Sequence, residues 1–240
     1  MAYAMSEPPF VAFGPSHLLT VATILAVSLG LPTALRLWGS ERLIQRVGIG
    51  LAVFIVVHEV FKTWVLVGLY DEPLNRHLPL QICGMAVLMA AVVLVWRPFR
   101  LYEVIYFWGL AGAVQALLTP EIPWDFPNLV FLGFFISHGM ILVGLFYATI
   151  AFRMRPTWSS IPRVFAITLA YAFVIVAPLN VLLDTNFMYL RGLPSTGSVL
   201  DLFGPWPWYI AGAALFTLAS FVVYYLPFAI RDLVVARRAS

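Results

Sequence analysis

The sequence is poor in charged residues and contains a single cysteine. Of 240 residues, only 10% are charged and 62% are hydrophobic, whereas a soluble domain is typically about 25% charged and about 45–50% apolar. This composition, with a mean hydropathy of +0.94, excludes an ordinary soluble domain and indicates an integral membrane protein. One cysteine also excludes an intrachain disulfide and a thiolate zinc cluster.

Motifs of several enzyme classes are missing as well. There is no HExxH helix, because Lys62 stands where a zincin would place its second histidine after His58. An HxxxD acyltransferase motif and a glycine-rich phosphate loop are absent too. We therefore predict no cofactor and no bound metal. The net charge of +3 comes from basic residues in short loops, so we predict membrane lipids as partners and no nucleic acid.

Long apolar runs dominate what is present. A spanning helix needs roughly 20 mostly apolar residues, and the runs predict an all-α, polytopic seven-helix transmembrane bundle that forms a single domain over residues 1–240. The predicted helices are Leu18–Leu37, Leu43–Val67, Leu78–Trp96, Leu101–Leu118, Leu129–Phe152, Val164–Leu183 and Trp208–Ile230.

Basic residues gather on one side of this topology. Eleven of the fourteen Lys and Arg residues lie in the first, third and fifth loops or in the tail, whereas only Arg76 and Arg191 lie opposite. The positive-inside rule therefore predicts that the N-terminus faces out and the C-terminus faces the cytoplasm. The predicted location is the cell membrane, which in a bacterium is the inner membrane.

The search for function starts where the third predicted helix begins. His77, Gln81 and the only cysteine, Cys83, lie close together there. Pro79 is suited to the first turn of a helix, where its missing N–H has no partner to lose. We expect it to open the helix, which would put Cys83 about one turn inside.

Further polar residues fall at the same predicted depth, in the outer half of the bundle. Glu59 and Lys62 are neighbours at i,i+3 on the second helix, and an ion pair that faces the interior is the economical arrangement for two charges in a membrane. A pair that merely holds helices together is the alternative interpretation. The other members of this group are Gln115, His138, Asn180 and Tyr209.

A cysteine and a histidine together form a thiolate nucleophile with a general base. His138 lies at a depth that faces Cys83, and His77 lies near the mouth of the bundle. Spacing alone does not choose between the two histidines, and a cysteine without a partner packs like a small hydrophobic residue.

Several segments in fixed order resemble the YwaF family of bacterial integral membrane proteins and its eukaryotic relatives, the transmembrane protein 164 group. Gln81 is a departure, because histidine is common there in the bacterial members, and this shifts the expected base to His138. The resembling segments are Phe13-Gly14-Pro15-Ser16-His17-Leu18, Glu59, Leu78-Pro79-Leu80-Gln81-Ile82-Cys83, Gly112-Ala113-Val114-Gln115-Ala116-Leu117-Leu118-Thr119-Pro120, Phe126-Pro127, Phe134-Phe135-Ile136-Ser137-His138-Gly139, Asn186-Phe187-Met188-Tyr189-Leu190 and Gly204-Pro205-Trp206-Pro207-Trp208-Tyr209.

The resemblance implies seven helices and an acyl-transfer chemistry. The eukaryotic relatives look like acyltransferases that move fatty acyl chains onto ether lysophospholipids with a cysteine and a histidine, and those roles fall here on Cys83 and His138. Our leading hypothesis is a phospholipid acyltransferase, a transacylase or a related lipid hydrolase, with Gln115, Asn180 or Tyr209 donating to the oxyanion. The residues predicted to bind the substrate or orient the site are His17, Glu59, Lys62, His77, Gln81, Gln115, Asn180 and Tyr209.

Two hypotheses from other classes stay open. The first is a transporter or channel for a small polar solute or ion, in which Glu59, Lys62 and His138 form a buried relay. The second is a receptor-like bundle whose polar cluster binds a ligand without chemistry.

Overall fold

The fold is built almost entirely from helices. The computed structural model describes residues 8–194 and 198–239 and is 77% helix. Within these ranges the β pairing is limited to an isolated bridge between Pro9 and Trp124. The longer helices are α1 (Pro15–Trp38), α2 (Glu41–Leu69), α3 (Ile82–Trp96), α4 (Phe99–Leu118), α5 (Leu129–Ala151), α6 (Ser160–Leu182) and α7 (Trp208–Ala239).

Six of these helices are long and apolar enough to cross a membrane. The seventh, α3, has 15 residues, fewer than the roughly 20 that a full span needs. The predicted all-α, multi-pass membrane fold is therefore confirmed, with one short helix among the seven. The side of the membrane on which each terminus lies stays a prediction. Residues 1–7, 195–197 and 240 of the predicted domain lie outside the described residues.

The start of α3 differs from the expectation. The helix begins at Ile82, because Gln81 has the extended backbone of an N-cap residue. A residue before a proline avoids the helical region, so Leu78 does not lead into a helix through Pro79, and the backbone closes a tight turn there. The expectation that Pro79 opens the helix is wrong, and Cys83 lies in the first turn of α3.

Four helices contain a π-helical turn, which widens the helix and changes the direction in which the residues beyond it point. Such turns are frequent at functional sites. The turn in α4 bears on the site, because it includes Gly112, which lies against the Cys83 sulfur. The four turns are Val65–Leu69, Gly109–Ala113, Tyr147–Ala151 and Tyr171–Val176.

The chain divides into two compact units, one ending at Met154 and one beginning at Arg155. In the first unit α5 is the central helix, and α1, α2, α3 and α4 all pack against it. In the most apolar part of α5, 61% of the residues are buried inside the protein, against 17% in α1. Polar residues of α5 therefore lie in the interior. A single domain over the whole chain stays a prediction.

The packing of α3 on α5 provides a test. A Cβ at Gly144 would lie 2.9 Å from the Cβ of Ala90, so we expect Gly144→Ala to lower the free energy of unfolding by about 1–3 kcal/mol, the usual effect of overpacking. Gly50→Ala is the matched control, because nothing lies within 4 Å of its added Cβ and alanine favours a helix over glycine. Thermal unfolding in detergent compares them, and equal losses would contradict this packing.

Candidate functional site

A closed ring of hydrogen bonds links α2 to α5. The Lys62 ammonium donates to Glu59 Oε2 (2.5 Å) and to Ser137 Oγ (2.9 Å), and the Ser137 hydroxyl donates to Glu59 Oε1 (2.5 Å). The His58 Nδ1 lies 3.3 Å from the same Oε1. Glu59, Lys62 and Ser137 are called the charged ring below.

Burial explains why the charged ring is closed. The Glu59 and Lys62 side chains are 14% and 25% exposed, and Ser137 is buried. An unpaired charge at the centre of a spanning helix costs about 2.5–3.5 kcal/mol on insertion scales, and charge-assisted hydrogen bonds offset this. The predicted Glu59–Lys62 ion pair is confirmed. Ser137 was not predicted as a site residue, although its place one residue before His138 on an apolar helix was a usable signal.

Cys83 lies in the first turn of α3 and is partly buried. Its sulfur contacts the π-helical turn of α4, where a Cβ on Gly112 would lie 2.9 Å from Sγ. A glycine is therefore needed beside the thiol. Among the described residues, no hydrogen bond joins this thiol to the imidazole of His138 or His77. The predicted catalytic pair is thus not hydrogen-bonded here, and its role stays a prediction.

His138 is held on α5 in one tautomer. Its Nδ1 lies 2.8 Å from the Phe134 carbonyl oxygen. A carbonyl only accepts, so Nδ1 carries the hydrogen and the neutral ring keeps an unprotonated Nε2. The ring also packs on the Phe134 ring, with centroids 4.2 Å apart. The local backbone therefore presents His138 as a base through Nε2.

Lys62 relates the charged ring to these groups. Its helix, α2, packs on α3, which carries Cys83, and on α5, which carries His138. Lys62 therefore lies on a helix that contacts both helices of the predicted catalytic pair.

His77 follows a short 3-10 turn, Leu74–Arg76, outside the helices. Its buried Nε2 has no hydrogen-bond partner among the described residues, and Glu72 Oε2, at 3.9 Å, is too far to accept one. Burial lowers the pKa of His77, and the nearby Glu72 only partly opposes this. The neutral imidazole is therefore favoured. Gln81 lies between this turn and Cys83, as the N-cap residue of α3.

His17 has no ring nitrogen left for a substrate. Its Nδ1 accepts from the Phe13 N–H (2.8 Å), and its Nε2 donates to the Leu117 carbonyl oxygen (2.7 Å). The residue is 1% exposed. His17 thus fixes the start of α1 to the end of α4, and its predicted role in binding substrate or orienting the site stays a prediction.

Gln115 is exposed near the end of α4. Its amide donates to the Thr119 hydroxyl (3.3 Å), one turn along the same helix. In the described chain it makes no hydrogen bond to Cys83 or to the charged ring.

Asn180 and Tyr209 lie in the second unit, where both brace the loop after α6. The Asn180 side chain accepts from the Phe187 N–H (2.7 Å) and the Thr185 hydroxyl (3.0 Å), and it donates to the Phe187 carbonyl oxygen (2.9 Å). The Tyr209 hydroxyl donates to the Tyr189 carbonyl oxygen. These hydrogen bonds hold the loop in place, and none of them supports a role in catalysis. That both residues donate to the oxyanion stays a prediction.

No group of three or more His, Cys, Asp or Glu side chains in the described residues is arranged to hold a metal ion. The polar groups brought together by hydrogen bonds are those of the charged ring, and the helices of Cys83 and His138 pack against α2. Gly112 and Gly133, which contact the thiol and the Lys62 stem, were not recognised as site residues from the sequence.

The helices and this cluster define a multi-pass membrane protein whose first unit holds a paired, buried polar site beside its only thiol. The model of the TMEM164 family matches residues 12–225, and the chain belongs to this family. The resemblance to the transmembrane protein 164 group is thereby confirmed, whereas the narrower YwaF assignment and a bacterial origin stay predictions. Comparison with curated proteins finds no match, and neither does comparison with solved structures.

The charged ring predicts coupled effects on stability. Lys62→Met should lower the free energy of unfolding by about 3–5 kcal/mol, because Glu59 then keeps a buried charge without its counter-ion. Glu59→Gln should cost less, since Lys62 is the more exposed partner (25% against 14%) and the amide oxygen that replaces the carboxylate can still accept its hydrogen bond. The double variant should recover most of the loss, because replacing both partners is often nearly neutral. Thermal unfolding in detergent measures the stability of the wild type, the two single variants and the double variant. If the loss of stability in the double variant equals the sum of the two single losses, the two charges are independent.

Proposed function

We propose that this membrane protein is a lipid acyltransferase, acting as a transacylase or a related hydrolase, with Cys83 as its nucleophile. The observation that carries the proposal is the charged ring, whose Ser137 precedes His138 on α5 and whose Lys62 lies on α2, a helix that packs on the helix of Cys83. His138 keeps an unprotonated Nε2. A thiol, a base with a free lone pair and a nearby positive charge are the parts that nucleophilic acyl transfer requires.

The proposed reaction has two steps. In the first, Cys83 Sγ attacks the carbonyl carbon of a phospholipid ester, and the thiol proton passes to His138 Nε2. The ester C–O bond then breaks, and the leaving lysophospholipid alcohol takes that proton, which leaves an acyl thioester on Cys83. In the second step the hydroxyl of another lysophospholipid attacks the thioester carbonyl while His138 Nε2 takes the hydroxyl proton. The S–C bond then breaks, and that proton passes from His138 to the Cys83 sulfur, which restores the thiol. Water in place of the second lysophospholipid gives hydrolysis.

The missing hydrogen bond between Cys83 and His138 is compatible with this proposal. Catalytic hydrogen bonds are often long or poorly aligned in a resting enzyme and tighten when the substrate binds. Substrate would reach the site from the bilayer itself. The distribution of basic residues supports an N-terminus that faces out, a C-terminus in the cytoplasm, and a site in the outer half of the cell membrane.

Purified protein in liposomes tests the proposal. With a fluorescent phospholipid as acyl donor and a lysophospholipid as acceptor, we expect Cys83→Ala and His138→Gln each to lower acyl transfer by about 100-fold or more, in line with the loss of a nucleophile or a general base. His77→Gln distinguishes the two candidate histidines, because it should lower acyl transfer much less than His138→Gln if His138 is the base. Full activity of Cys83→Ala would rule out the thiol mechanism.

The second candidate function is transport of a small polar solute or ion. It is favoured by one observation, the burial of a charged pair within a spanning helix, since such residues mark ion and proton pathways. The same liposomes separate the two functions. Solute or proton flux that survives Cys83→Ala and is lost in Glu59→Gln would favour transport.

A further inference from the structure

The Lys62 ammonium has one donor more than the protein uses. Of its three N–H groups, one is directed to Glu59 and one to Ser137. No third acceptor for this ammonium lies among the described residues. The Lys62 side chain is 25% exposed, so the third N–H is accessible to an acceptor that comes from outside the chain.

The position of this ammonium is fixed before any ligand arrives. Glu59 and Ser137 hold its nitrogen from two sides. Its stem packs on α5 where Gly133 leaves room, because a Cβ there would lie 3.1 Å from Lys62 Cγ and 3.6 Å from Cδ. A donor held in place in this way loses little conformational freedom when it binds.

The surroundings of Lys62 indicate which oxygen the ammonium would meet. Lys62 lies seven residues before Leu69, where α2 ends, which is about 10 Å along the helix axis at 1.5 Å per residue. The next residue, Tyr70, packs on Trp124 with ring centroids 5.5 Å apart, as in the aromatic belts of membrane interfaces. Each headgroup layer is about 5–8 Å thick. The ammonium therefore lies near the depth of lipid ester groups, below the phosphates.

We propose that the third N–H of Lys62 binds the carbonyl oxygen of a lipid ester and stabilises the oxyanion that forms when Cys83 adds to that carbonyl. The carbonyl π electron pair moves onto the oxygen as the S–C bond forms, and it returns when the C–O bond to the leaving alcohol breaks. Lys62 donates the hydrogen bond throughout and keeps its proton. The oxyanion half of this inference rests on the proposed acyl transfer, whereas the ester-binding half does not.

A binding experiment tests the ester contact without turnover. The probes are a short-chain diester phosphatidylcholine and its diether analogue, which has the same headgroup and chains but no carbonyl. Binding is followed by ligand-dependent thermal stabilisation in detergent, in Cys83→Ala so that the ester is not consumed. We expect the diester to bind about tenfold more tightly than the diether, as for a hydrogen bond to a charged group.

Lys62 is then removed in a background that folds. The triple variant Cys83→Ala/Glu59→Gln/Lys62→Met should lose the preference for the diester, whereas Cys83→Ala/Glu59→Gln should keep it. A second pair of variants leaves both charges in place. Gly133→Ala crowds the Lys62 stem. The control is Gly139→Ala on the same helix, α5, whose added Cβ crowds Ile24 of α1 at a similar distance (3.0 Å). Only Gly133→Ala should reduce the preference.

The outcomes separate this inference from the proposed function. A diester preference that survives the loss of Lys62 overturns the inference. The inference is also overturned if removing Lys62 weakens the binding of both phosphatidylcholines equally and leaves the binding of a diacylglycerol unchanged, since Lys62 would then bind the phosphate. If the wild-type protein shows no acyl transfer while the Lys62-dependent preference is intact, the proposed function fails and ester binding stands. In an active enzyme, adding Lys62→Met to Glu59→Gln should lower kcat by about 100-fold or more, with KM less affected.

Discussion

A charge inside a membrane has to be neutralised and hydrogen-bonded by the protein itself, and the first unit depends on this requirement. Lys62 and Glu59 compensate each other on α2, and Ser137 from α5 closes the charged ring. The closure fixes the position of α2 against the central helix. It also explains why α5 carries a glycine at position 133, since the Lys62 stem occupies the space that a side chain would need.

The polar residues of the protein fall into two groups according to whether their hydrogen-bonding capacity is used. The ring nitrogens of His17, the Asn180 side chain and the Tyr209 hydroxyl all bind backbone atoms. They hold helices and loops in place, as buried polar groups generally do. Lys62, His138 and His77 instead keep a donor or an acceptor that the described chain does not use. Unused capacity, rather than polarity, therefore identifies the part of the site that is open to a substrate.

The position of Cys83 shows how local irregularity builds the site. An extended Gln81 after Pro79 delays the start of α3, so the thiol lies in the first helical turn. In α4 a π-helical turn places Gly112 beside the sulfur. Neither feature can be read from hydrophobic periodicity, which records the face of a residue in a regular helix and not the place where the helix begins or widens.

The sequence by itself determined the membrane class, the helical fold and the Glu59–Lys62 pair. Each depends on local properties, namely the length of apolar runs and the i,i+3 spacing on one helix. The tertiary structure decided which polar residues share a site. Ser137 joins Lys62 across 75 positions of the chain, and the Gly112–Cys83 contact joins two helices. Such contacts form when helices pack to bury charge and to fill space. The free energy of this packing depends on residues far apart in the chain, so no local sequence pattern contains it.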